Sequence, residues 1–217
     1  MREEVIQKIE AEKIIAIVRG VGADQCMKVA DALYAGGIRL MEVTFDQKNP
    51  ASFQATADAI EAIGKAYEGR MLVGAGTVTT TELVELTAKA GGKYVISPDV
   101  NVDVIRRTRE LGMVSLPGAM TPTEVMTAHR AGADFVKLFP ASNLGTAYVK
   151  AVRAPISHVK LLAVGGINED NVADFLHAGM VGAGVGGNLA NKKWIEAGEF
   201  EKITETARKL LDAVKNA

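Results

Sequence analysis

The chain has 217 residues, and its 48% hydrophobic and 24% charged content is typical of one soluble globular domain rather than a disordered or fibrous protein. Its 25 Lys and Arg residues nearly balance its 26 Asp and Glu residues, so the net charge of -1 provides no general attraction to nucleic acid or to an anionic membrane. The single cysteine, Cys26, excludes an internal disulfide and indicates a reducing, cytoplasmic compartment, and no apolar run approaches the ~20 residues of a membrane span.

The predicted elements begin with a helix over residues 1–11 and end with a helical region over residues 192–215. Between them, eight short runs of apolar or β-branched residues predict strands, and the longer stretches that separate the runs have helical periodicity. The eight runs cover, in chain order, residues 13–19, 38–45, 71–75, 93–97, 113–117, 134–139, 159–164 and 181–186.

Residues suited to capping mark where the intervening helices start, and Ala-Gly pairs mark where they end. The predicted N-caps are Asn49, Thr79, Thr121 and Asn168, and the pairs lie at residues 35–36, 90–91, 131–132 and 178–179. A repeat of strand, helix and glycine produces parallel strands joined by right-handed crossovers. Because a doubly wound sheet typically has about five or six strands, eight units favour an α/β fold in which residues 1–217 form a single-domain (β/α)8 TIM barrel with an extra N-terminal helix.

In such a barrel, function is expected at the carboxyl ends of the strands. Three charged residues lie at such places: Arg19 ends the first predicted strand, Glu42 lies late in the second, and Lys137 lies within the sixth. Because side chains alternate along a strand, Lys137 shares a face with Phe135 and Phe139. Burial between those rings is expected to lower the pKa of the Lys137 amine towards the range in which it is a nucleophile.

Glu42 is expected to face the same interior, because its neighbours Met41 and Val43 are apolar and suited to packing against helices. A carboxylate there could exchange protons with a lysine imine, so Glu42 and Lys137 together suggest a Schiff-base site. The spacing alone leaves other interpretations open. Lys137 could extend its charged head into solvent, and Glu42 could be half of a structural ion pair with Arg19 or Lys137.

Glycine-rich segments follow the last two predicted strands, with Gly165 and Gly166 after the seventh and Gly187 and Asn188 after the eighth. In barrels of this kind, the backbone amides of these loops commonly bind phosphate with the help of a helix N-terminus. We therefore expect an anion site there, although the same glycines could merely permit tight turns. Thr77, at the end of the third strand, could donate its hydroxyl to a ligand oxygen.

The other reactive residue types suggest no second site. The three histidines, His129, His158 and His177, lack the spacing of a metal motif, so no histidine-rich metal site is expected. Cys26 lies in a helical stretch and is expected to be a small packing residue rather than a nucleophile.

These motifs resemble those of the 2-keto-3-deoxy-6-phosphogluconate aldolases, also called 4-hydroxy-2-oxoglutarate aldolases, which are class I lyases on a (β/α)8 barrel. The resemblance covers nearly the whole chain, and few other barrels combine Glu42, a GAGTV turn and a KLFP strand in this order. The matching segments are IIAIVRG (14–20), GGIRLMEVTF (36–45), VGAGTV (73–78), ISPD (96–99), LPGAMTPTE (116–124), DFVKLFPA (134–141), VGGIN (164–168) and GVGGNL (184–189).

The resemblance implies a role for each candidate residue. Lys137 would form an iminium with the substrate 2-oxo group, and Glu42 would be the general acid and base. The implied substrate contacts are Arg19 and Thr77 at the pyruvate carboxylate, Pro98 and Phe139 along the pyruvyl part, and Gly165, Gly166, Gly187 and Asn188 at the distal phosphate. The resemblance also implies a phosphorylated 2-oxo acid as substrate, a homotrimer, and no metal or organic cofactor.

Three features depart from the family pattern. Asp46 stands where many members carry an arginine, so either Arg19 carries more of the carboxylate recognition or the preferred substrate differs. Ala163 and Val164 replace a Pro-Thr pair, which removes a hydroxyl from the phosphate end, and Asn188 stands where a serine is common. The preferred substrate stays open among 2-keto-3-deoxy-6-phosphogluconate, its galactonate epimer and 4-hydroxy-2-oxoglutarate.

Two further interpretations keep the barrel but change the activity. In the first, the chain is an isomerase or synthase of phosphorylated sugars, with Glu42 as base and Lys137 as electrostatic stabiliser. In the second, it is a non-catalytic sugar-acid binder, which the unusual Asp46 and Val164 would motivate. Neither interpretation requires an imine on Lys137.

Overall fold

Nine parallel strands form the sheet of the structure, a computed structural model that describes residues 2–217. All eight predicted strands are present, and one additional strand continues the fifth. Met1, the first residue of the predicted leading helix, lies outside the described residues. The strands are β1 (Ile14–Val18), β2 (Leu40–Thr44), β3 (Leu72–Gly76), β4 (Tyr94–Ile96), β5 (Val114–Leu116), β6 (Gly118–Ala119), β7 (Val136–Leu138), β8 (Leu161–Val164) and β9 (Gly182–Val185).

The strand order β5-β4-β3-β2-β1-β9-β8-β7-β6 closes the sheet into a barrel, because β5 and β6 are two halves of one segment. Pro117 separates the halves, and a proline has no N–H to donate to a neighbouring strand. Its carbonyl still accepts a hydrogen bond from the Lys137 amide of β7 at 2.9 Å. The predicted (β/α)8 architecture with a preceding helix is confirmed.

Helices alternate with the strands around the barrel. They are α1 (Arg2–Glu12), α2 (Ala23–Ala35), α3 (Phe53–Ala66), α4 (Thr81–Lys89), α5 (Val102–Glu110), α6 (Pro122–Ala131), α7 (Ala141–Arg153), α8 (Val172–His177), α9 (Lys192–Ala197) and α10 (Phe200–Lys215), and a 3-10 turn, Pro50–Ser52, precedes α3. The predicted leading helix corresponds to α1, and the predicted closing region to α9 and α10. Within residues 2–217, none of the helices combines the length and the apolar composition needed to cross a bilayer.

Of the two threonines predicted as N-caps, one is confirmed and the other is displaced by one residue. Thr121 caps α6 in a capping box: its hydroxyl accepts from the Glu124 amide, and the Glu124 carboxylate accepts from the Thr121 amide. The prediction of Thr79 as a cap is wrong by one residue. Thr80 is the N-cap of α4, and its hydroxyl accepts a hydrogen bond from the Leu83 amide.

The two predicted asparagine caps do not cap helices. Asn49 precedes the 3-10 turn but makes no side-chain capping hydrogen bond. The Asn168 side chain accepts from the amides of Asp170 and Asn171, which closes a turn, and α8 begins only at Val172. The loop after β8 is therefore longer than predicted.

Gly36 is the first glycine predicted to end a helix, but the left-handed backbone lies one residue later. Gly37 has the left-handed backbone, with φ +99°, whereas Gly36 is right-handed with φ -78°. Gly36 is needed instead for close packing, because a Cβ there would lie 2.5 Å from the Cβ of Ala207 on α10. At the other three stops the predicted glycine has a positive φ: Gly91, Gly132 and Gly179.

Two apolar clusters divide the core according to strand face. The outer cluster, between strands and helices, includes Met41, Val43 and Val136. The inner cluster fills the amino end of the barrel and consists of Val5, Ile6 and Ile9 of α1 with Ile15, Leu40, Tyr94, Ile96, Val114, Leu116, Phe135 and Leu162. The alternation predicted for β2 and β7 is confirmed, and it places Glu42 and Lys137 directly beyond the inner cluster, towards the carboxyl ends of the strands.

Candidate active site

A cavity of about 510 Å³ lies at the carboxyl ends of the strands, and its volume is typical of a small-molecule site. It is lined by nine of the ten predicted site residues: Arg19, Thr77, Pro98, Lys137, Phe139, Gly165, Gly166, Gly187 and Asn188. The remaining lining residues are Ile17, Val164, Ile167, Gly184 and Gly186. Glu42, the tenth predicted residue, is buried and does not line the cavity itself.

Lys137 lies in the middle of β7 and is only 6% exposed, so its head does not extend into solvent. Its Nζ lies 5.0 Å from the centroid of the Phe139 ring. Burial lowers the pKa of Lys137 below the ordinary value of 10.5, and while the Glu42 carboxylate opposes this shift, the Arg19 guanidinium adds to it. The shift increases the fraction of neutral amine, which is the nucleophilic form of lysine.

Glu42 lies on β2 and is 1% exposed. Neither of its carboxyl oxygens has a hydrogen-bond partner among residues 2–217. Burial raises the pKa of Glu42 above 4.5, while the positive charges of Lys137 and Arg19 lower it. Because a buried carboxyl without partners costs stability, and because raised pKa values cluster at catalytic sites, Glu42 has the properties expected of a proton-transfer group.

The Glu42 carboxyl occupies space that glycine leaves open on β3. A Cβ at Gly76 would overlap Glu42 Oε1, and a Cβ at Gly74 would overlap the ring of Tyr94. The Tyr94 hydroxyl donates a hydrogen bond to the Met41 carbonyl, next to Glu42 in the chain, at 2.7 Å. The two glycines therefore admit the side chains of Glu42 and Tyr94 to the barrel interior.

One part of the cavity wall combines a cation with a hydroxyl group. Arg19 follows β1 and Thr77 follows β3, and both line the cavity. Thr77 has a left-handed backbone with φ +58°, which is uncommon for a β-branched residue. Because guanidinium groups pair well with carboxylates, this part of the wall suits the carboxylate of a small acid.

The loops after β8 and β9 form another part of the wall. Gly165 and Gly166 have φ values of +96° and +73°, a backbone conformation that glycine adopts without strain. The Asn188 side chain donates to the Ile167 carbonyl at 2.9 Å, which ties the two loops together. Helix α8 begins only at Val172 and contributes no residue to the lining. After β9, the amides of Leu189 and Ala190 donate to the Gly186 carbonyl at 2.8 and 2.9 Å, so a helical turn begins beside the lining residues Gly187 and Asn188. The help of a helix N-terminus in binding an anion stays a prediction. The donors that these loops can offer to an anion are backbone amides and the Asn188 side chain.

Cys26 and the histidines lie outside this cavity. The Cys26 thiol is buried, its Sγ lies 3.6 Å from the Val21 carbonyl oxygen, and burial raises its pKa to about 11. A protonated, buried thiol is a packing group, as predicted. The rings of His129 and His158 pack edge to face with centroids 5.0 Å apart.

A family model described as KDPG and KHG aldolase matches residues 5–206. The chain belongs to this family. Members are aldolases, which are carbon–carbon lyases, so the resemblance seen in the sequence is confirmed and this chain is an aldolase.

Relatives of this chain have names that differ in the sugar acid. The chain is 37% identical over 177 residues to the 2-dehydro-3-deoxy-6-phosphogalactonate aldolase of Escherichia coli (strain K12), with 81% of this chain and 83% of that protein covered. It is 33% identical over 211 residues to the 2-dehydro-3-deoxy-phosphogluconate aldolase of Treponema pallidum (strain Nichols), with 97% of each covered. The family therefore leaves the preferred substrate open.

The barrel of this aldolase is also similar to that of a solved enzyme. KDPG aldolase from Legionella pneumophila, determined with pyruvate captured at low pH as a covalent carbinolamine, superposes with a TM-score of 0.83. The two are 25% identical, and the match covers 93% of this chain and 95% of that chain.

Asp46 and Val164, two of the residues that depart from the family pattern, have different places in this aldolase. Asp46 does not line the cavity, and its carboxylate accepts a hydrogen bond from the Lys48 amide at 3.0 Å within its own loop. Val164 does line the cavity, beside Gly165. Val164 therefore belongs to the cavity wall, whereas Asp46 belongs to the loop after β2.

One contributor to the site, Gln47, was missed in the sequence. Gly76 lies in the GAGTV turn noted there, pairs with Thr44 in the register of β2 and β3, and leaves the space that the Glu42 carboxyl fills. Gln47 donates a hydrogen bond to the Thr77 carbonyl at 2.8 Å. It lies in an irregular loop, where the sequence contains no periodic signal of side-chain direction.

Proposed function

We propose that this aldolase acts through a Schiff base on Lys137 and cleaves 2-keto-3-deoxy-6-phosphogluconate, 4-hydroxy-2-oxoglutarate or both. The products are pyruvate and an aldehyde, which is D-glyceraldehyde 3-phosphate or glyoxylate respectively. The observation that carries the proposal is the buried pair of Lys137 and Glu42, in which burial shifts both pKa values towards the uncharged forms.

The first step is attack of the neutral Lys137 amine on the C2 carbonyl carbon of the substrate. The resulting carbinolamine loses its hydroxyl as water and becomes an iminium. Glu42 supplies the proton for this loss, because its raised pKa keeps a carboxylic acid available above the ordinary value of 4.5.

The second step breaks the bond between C3 and C4. The Glu42 carboxylate left by the loss of water removes the proton from the C4 hydroxyl. The electron pair of the C3–C4 bond then moves into the iminium, which releases the aldehyde and leaves an enamine of pyruvate. Glu42 then protonates C3 of the enamine, and water hydrolyses the iminium to free pyruvate and the Lys137 amine. Each role of Glu42 requires a carboxyl that is not held in hydrogen bonds, as is the case here.

The cavity wall suits both ends of such a substrate. Arg19 and Thr77 bind the carboxylate next to the 2-oxo group, and Pro98 and Phe139 enclose the pyruvyl carbons. The backbone around Gly165, Gly166, Gly187 and Asn188 binds the distal phosphate. We further propose the homotrimer that the family resemblance implies, which analytical ultracentrifugation would test.

Reductive trapping tests the Schiff base. Incubation with pyruvate and borohydride is expected to leave a reduced adduct on Lys137, detectable by peptide mass spectrometry. The matched control is Lys137→Met, which is expected to take up no adduct and to lose turnover by about 10⁴-fold or more, as for other covalent nucleophiles. An active wild-type enzyme that remains unmodified at Lys137 would refute the proposed Schiff base.

The galactonate epimer is a second candidate substrate. The chain is 37% identical to a protein named for that substrate, and Val164 removes a hydroxyl from the expected phosphate end. Turnover of the gluconate derivative, the galactonate derivative and 4-hydroxy-2-oxoglutarate, measured side by side in wild type and Val164→Thr, tests the choice. We expect Val164→Thr to change the ratio of kcat/KM values for the two phosphorylated acids, and an unchanged ratio would exclude Val164 as a determinant.

A further inference from the structure

The loop after β3 is held by side chains from three other parts of the barrel. Three successive carbonyl oxygens in this loop each accept a side-chain hydrogen bond. The pairs are Gln47 Nε2 with the Thr77 carbonyl at 2.8 Å, Ser97 Oγ with the Val78 carbonyl at 2.6 Å, and Asn101 Nδ2 with the Thr79 carbonyl at 3.3 Å. These three hydrogen bonds hold the backbone of this short loop in one conformation.

Thr77 is the residue of this loop that lines the cavity and that has the uncommon backbone, with φ +58°. A β-branched residue in this region is strained, and such a conformation persists only when the surroundings hold it in place. Among the described residues, Gln47 is the one whose side chain binds the Thr77 carbonyl. The side-chain hydrogen bond to the Thr77 carbonyl therefore comes from the loop after β2.

The Gln47 side chain is itself held in one orientation. Its Nε2 donates to the Thr77 carbonyl, and its Oε1 accepts from the Thr79 hydroxyl at 3.3 Å. The carboxylate of the preceding residue, Asp46, accepts a hydrogen bond from the Lys48 amide and so closes a turn around residue 47. Asp46 thus shapes the loop, while Gln47 reaches the neighbouring strand end.

We propose that Gln47 is a positioning residue, which holds Thr77 in the left-handed conformation and thereby sets the carboxylate end of the active site. The inference rests on the proposed function, because it assigns the carboxylate of the 2-oxo acid to Thr77 and Arg19. Gln47 itself does not line the cavity.

The test uses Gln47→Glu, which keeps the size of the side chain but replaces the amide donor with a carboxylate that can only accept. We expect KM for the 2-oxo acid to rise roughly threefold to tenfold, the effect of one lost hydrogen bond. We expect kcat and its pH profile to stay within about twofold of wild type, because the carboxylate contact is present in both ground state and transition state.

Gln54→Glu is the matched control. Gln54 is also an exposed glutamine, and its Nε2 also donates a 2.8 Å hydrogen bond, to Asp58 Oδ1 within α3. Its replacement by glutamate adds the same charge but removes no hydrogen bond to Thr77. We expect wild-type KM and kcat in this variant. An equal rise of KM in both variants would overturn the proposal, because it would reflect charge alone.

A second readout does not depend on turnover. The Thr77 carbonyl belongs to the same peptide unit as the Val78 amide, so loss of its hydrogen bond should move the Val78 resonance in a ¹⁵N–¹H spectrum of Gln47→Glu but not of Gln54→Glu. An unmoved Val78 resonance would overturn the proposal that Gln47 holds the Thr77 backbone. A moved resonance with unchanged KM would overturn the proposal that this backbone conformation affects substrate binding. Failure of borohydride trapping in the wild type would instead identify the proposed function as the part that is wrong.

Discussion

The amino end and the carboxyl end of the barrel interior are built from the same strands but contain opposite kinds of residue. Phe135, the residue before β7, belongs to the inner cluster, and the next inward residue is Lys137 on β7. On β2, Leu40 belongs to the same cluster, and the next inward residue is Glu42. A step of two residues along a strand thus separates apolar packing from an ionisable group.

The comparison indicates where the stability of this barrel comes from and where it is lost. The inner cluster removes apolar surface from water, which stabilises the fold. The buried pair at the mouth costs stability, because an amine and a carboxyl lose hydration there and Glu42 gains no hydrogen bond. We therefore expect substitutions in the two regions to separate stability from activity.

The largest effect on stability is expected at the amino end. Ile9 of α1 is 1% exposed within the inner cluster, so Ile9→Ala should lower the free energy of unfolding by about 2–5 kcal/mol, measured by urea denaturation. The graded control Ile9→Val should cost about 0.5–1.5 kcal/mol. Both folded variants should keep the wild-type kcat, and a large loss of kcat in Ile9→Val would contradict the separation of the two regions.

The next largest effect is expected on activity, at the carboxyl end of the barrel interior where Glu42 and Lys137 lie. In Gly76→Ala the new Cβ would overlap Glu42 Oε1 and displace the carboxyl, so kcat should fall about 100-fold, as for a misplacement of roughly 1 Å. The control is Gly64→Ala in α3, where a Cβ would meet no atom within 4 Å. Gly64→Ala should keep full activity and gain about 0.5–1 kcal/mol of stability. Equal kcat in the two variants would show that Glu42 does not need its space beside residue 76.

The smallest effect concerns the stability that the protein loses by burying Lys137 and Glu42. The double variant Lys137→Met with Glu42→Met should be inactive and more stable than wild type near neutral pH by about 1 kcal/mol or more. Urea denaturation across the pH range would measure the gain. A double variant less stable than wild type at neutral pH would mean that the pair stabilises the fold.

The pH dependence of that gain follows from the two pKa shifts. The raised pKa of Glu42 gives a contribution to stability that is fully present below 4.5 and is lost as pH rises through the folded value. The lowered pKa of Lys137 gives a contribution that is present above 10.5 and is lost as pH falls through the folded value. The advantage of the double variant should therefore be widest between the two folded values and narrow on either side, and a flat difference would argue against both shifts.

The parts of the fold predicted from sequence are those set by local chemistry. Strand runs and their alternation depend on neighbouring residues, so the inward direction of Lys137 and Glu42 could be inferred. The division of the fifth strand at Pro117 was not predicted, because the pairing of its two halves with different neighbours is a property of the closed sheet. The displacement of the cap from Thr79 to Thr80 has a similar origin, since the Thr79 hydroxyl binds Gln47 instead.

The candidate site divides in the same way. Motifs within one segment identified Lys137 and the glycine loops, all of which meet at the cavity. The space that Gly76 leaves for Glu42 and the contact of Gln47 with Thr77 are relations between segments about 30 residues apart in the chain. Such relations become visible only when the register of β2 against β3 is known.

The position of helix α1 has a consequence for the order in which substrates bind and products leave. With Val5, Ile6 and Ile9 packed into the amino end of the barrel, the route between solvent and Lys137 runs through the cavity at the opposite end. On the proposed mechanism, the three-carbon fragment bound to Lys137 lies at the inner end of that route and the aldehyde lies outside it. The aldehyde must therefore depart before pyruvate, and in the direction of carbon–carbon bond formation pyruvate must load first, which makes the kinetics sequential and ordered.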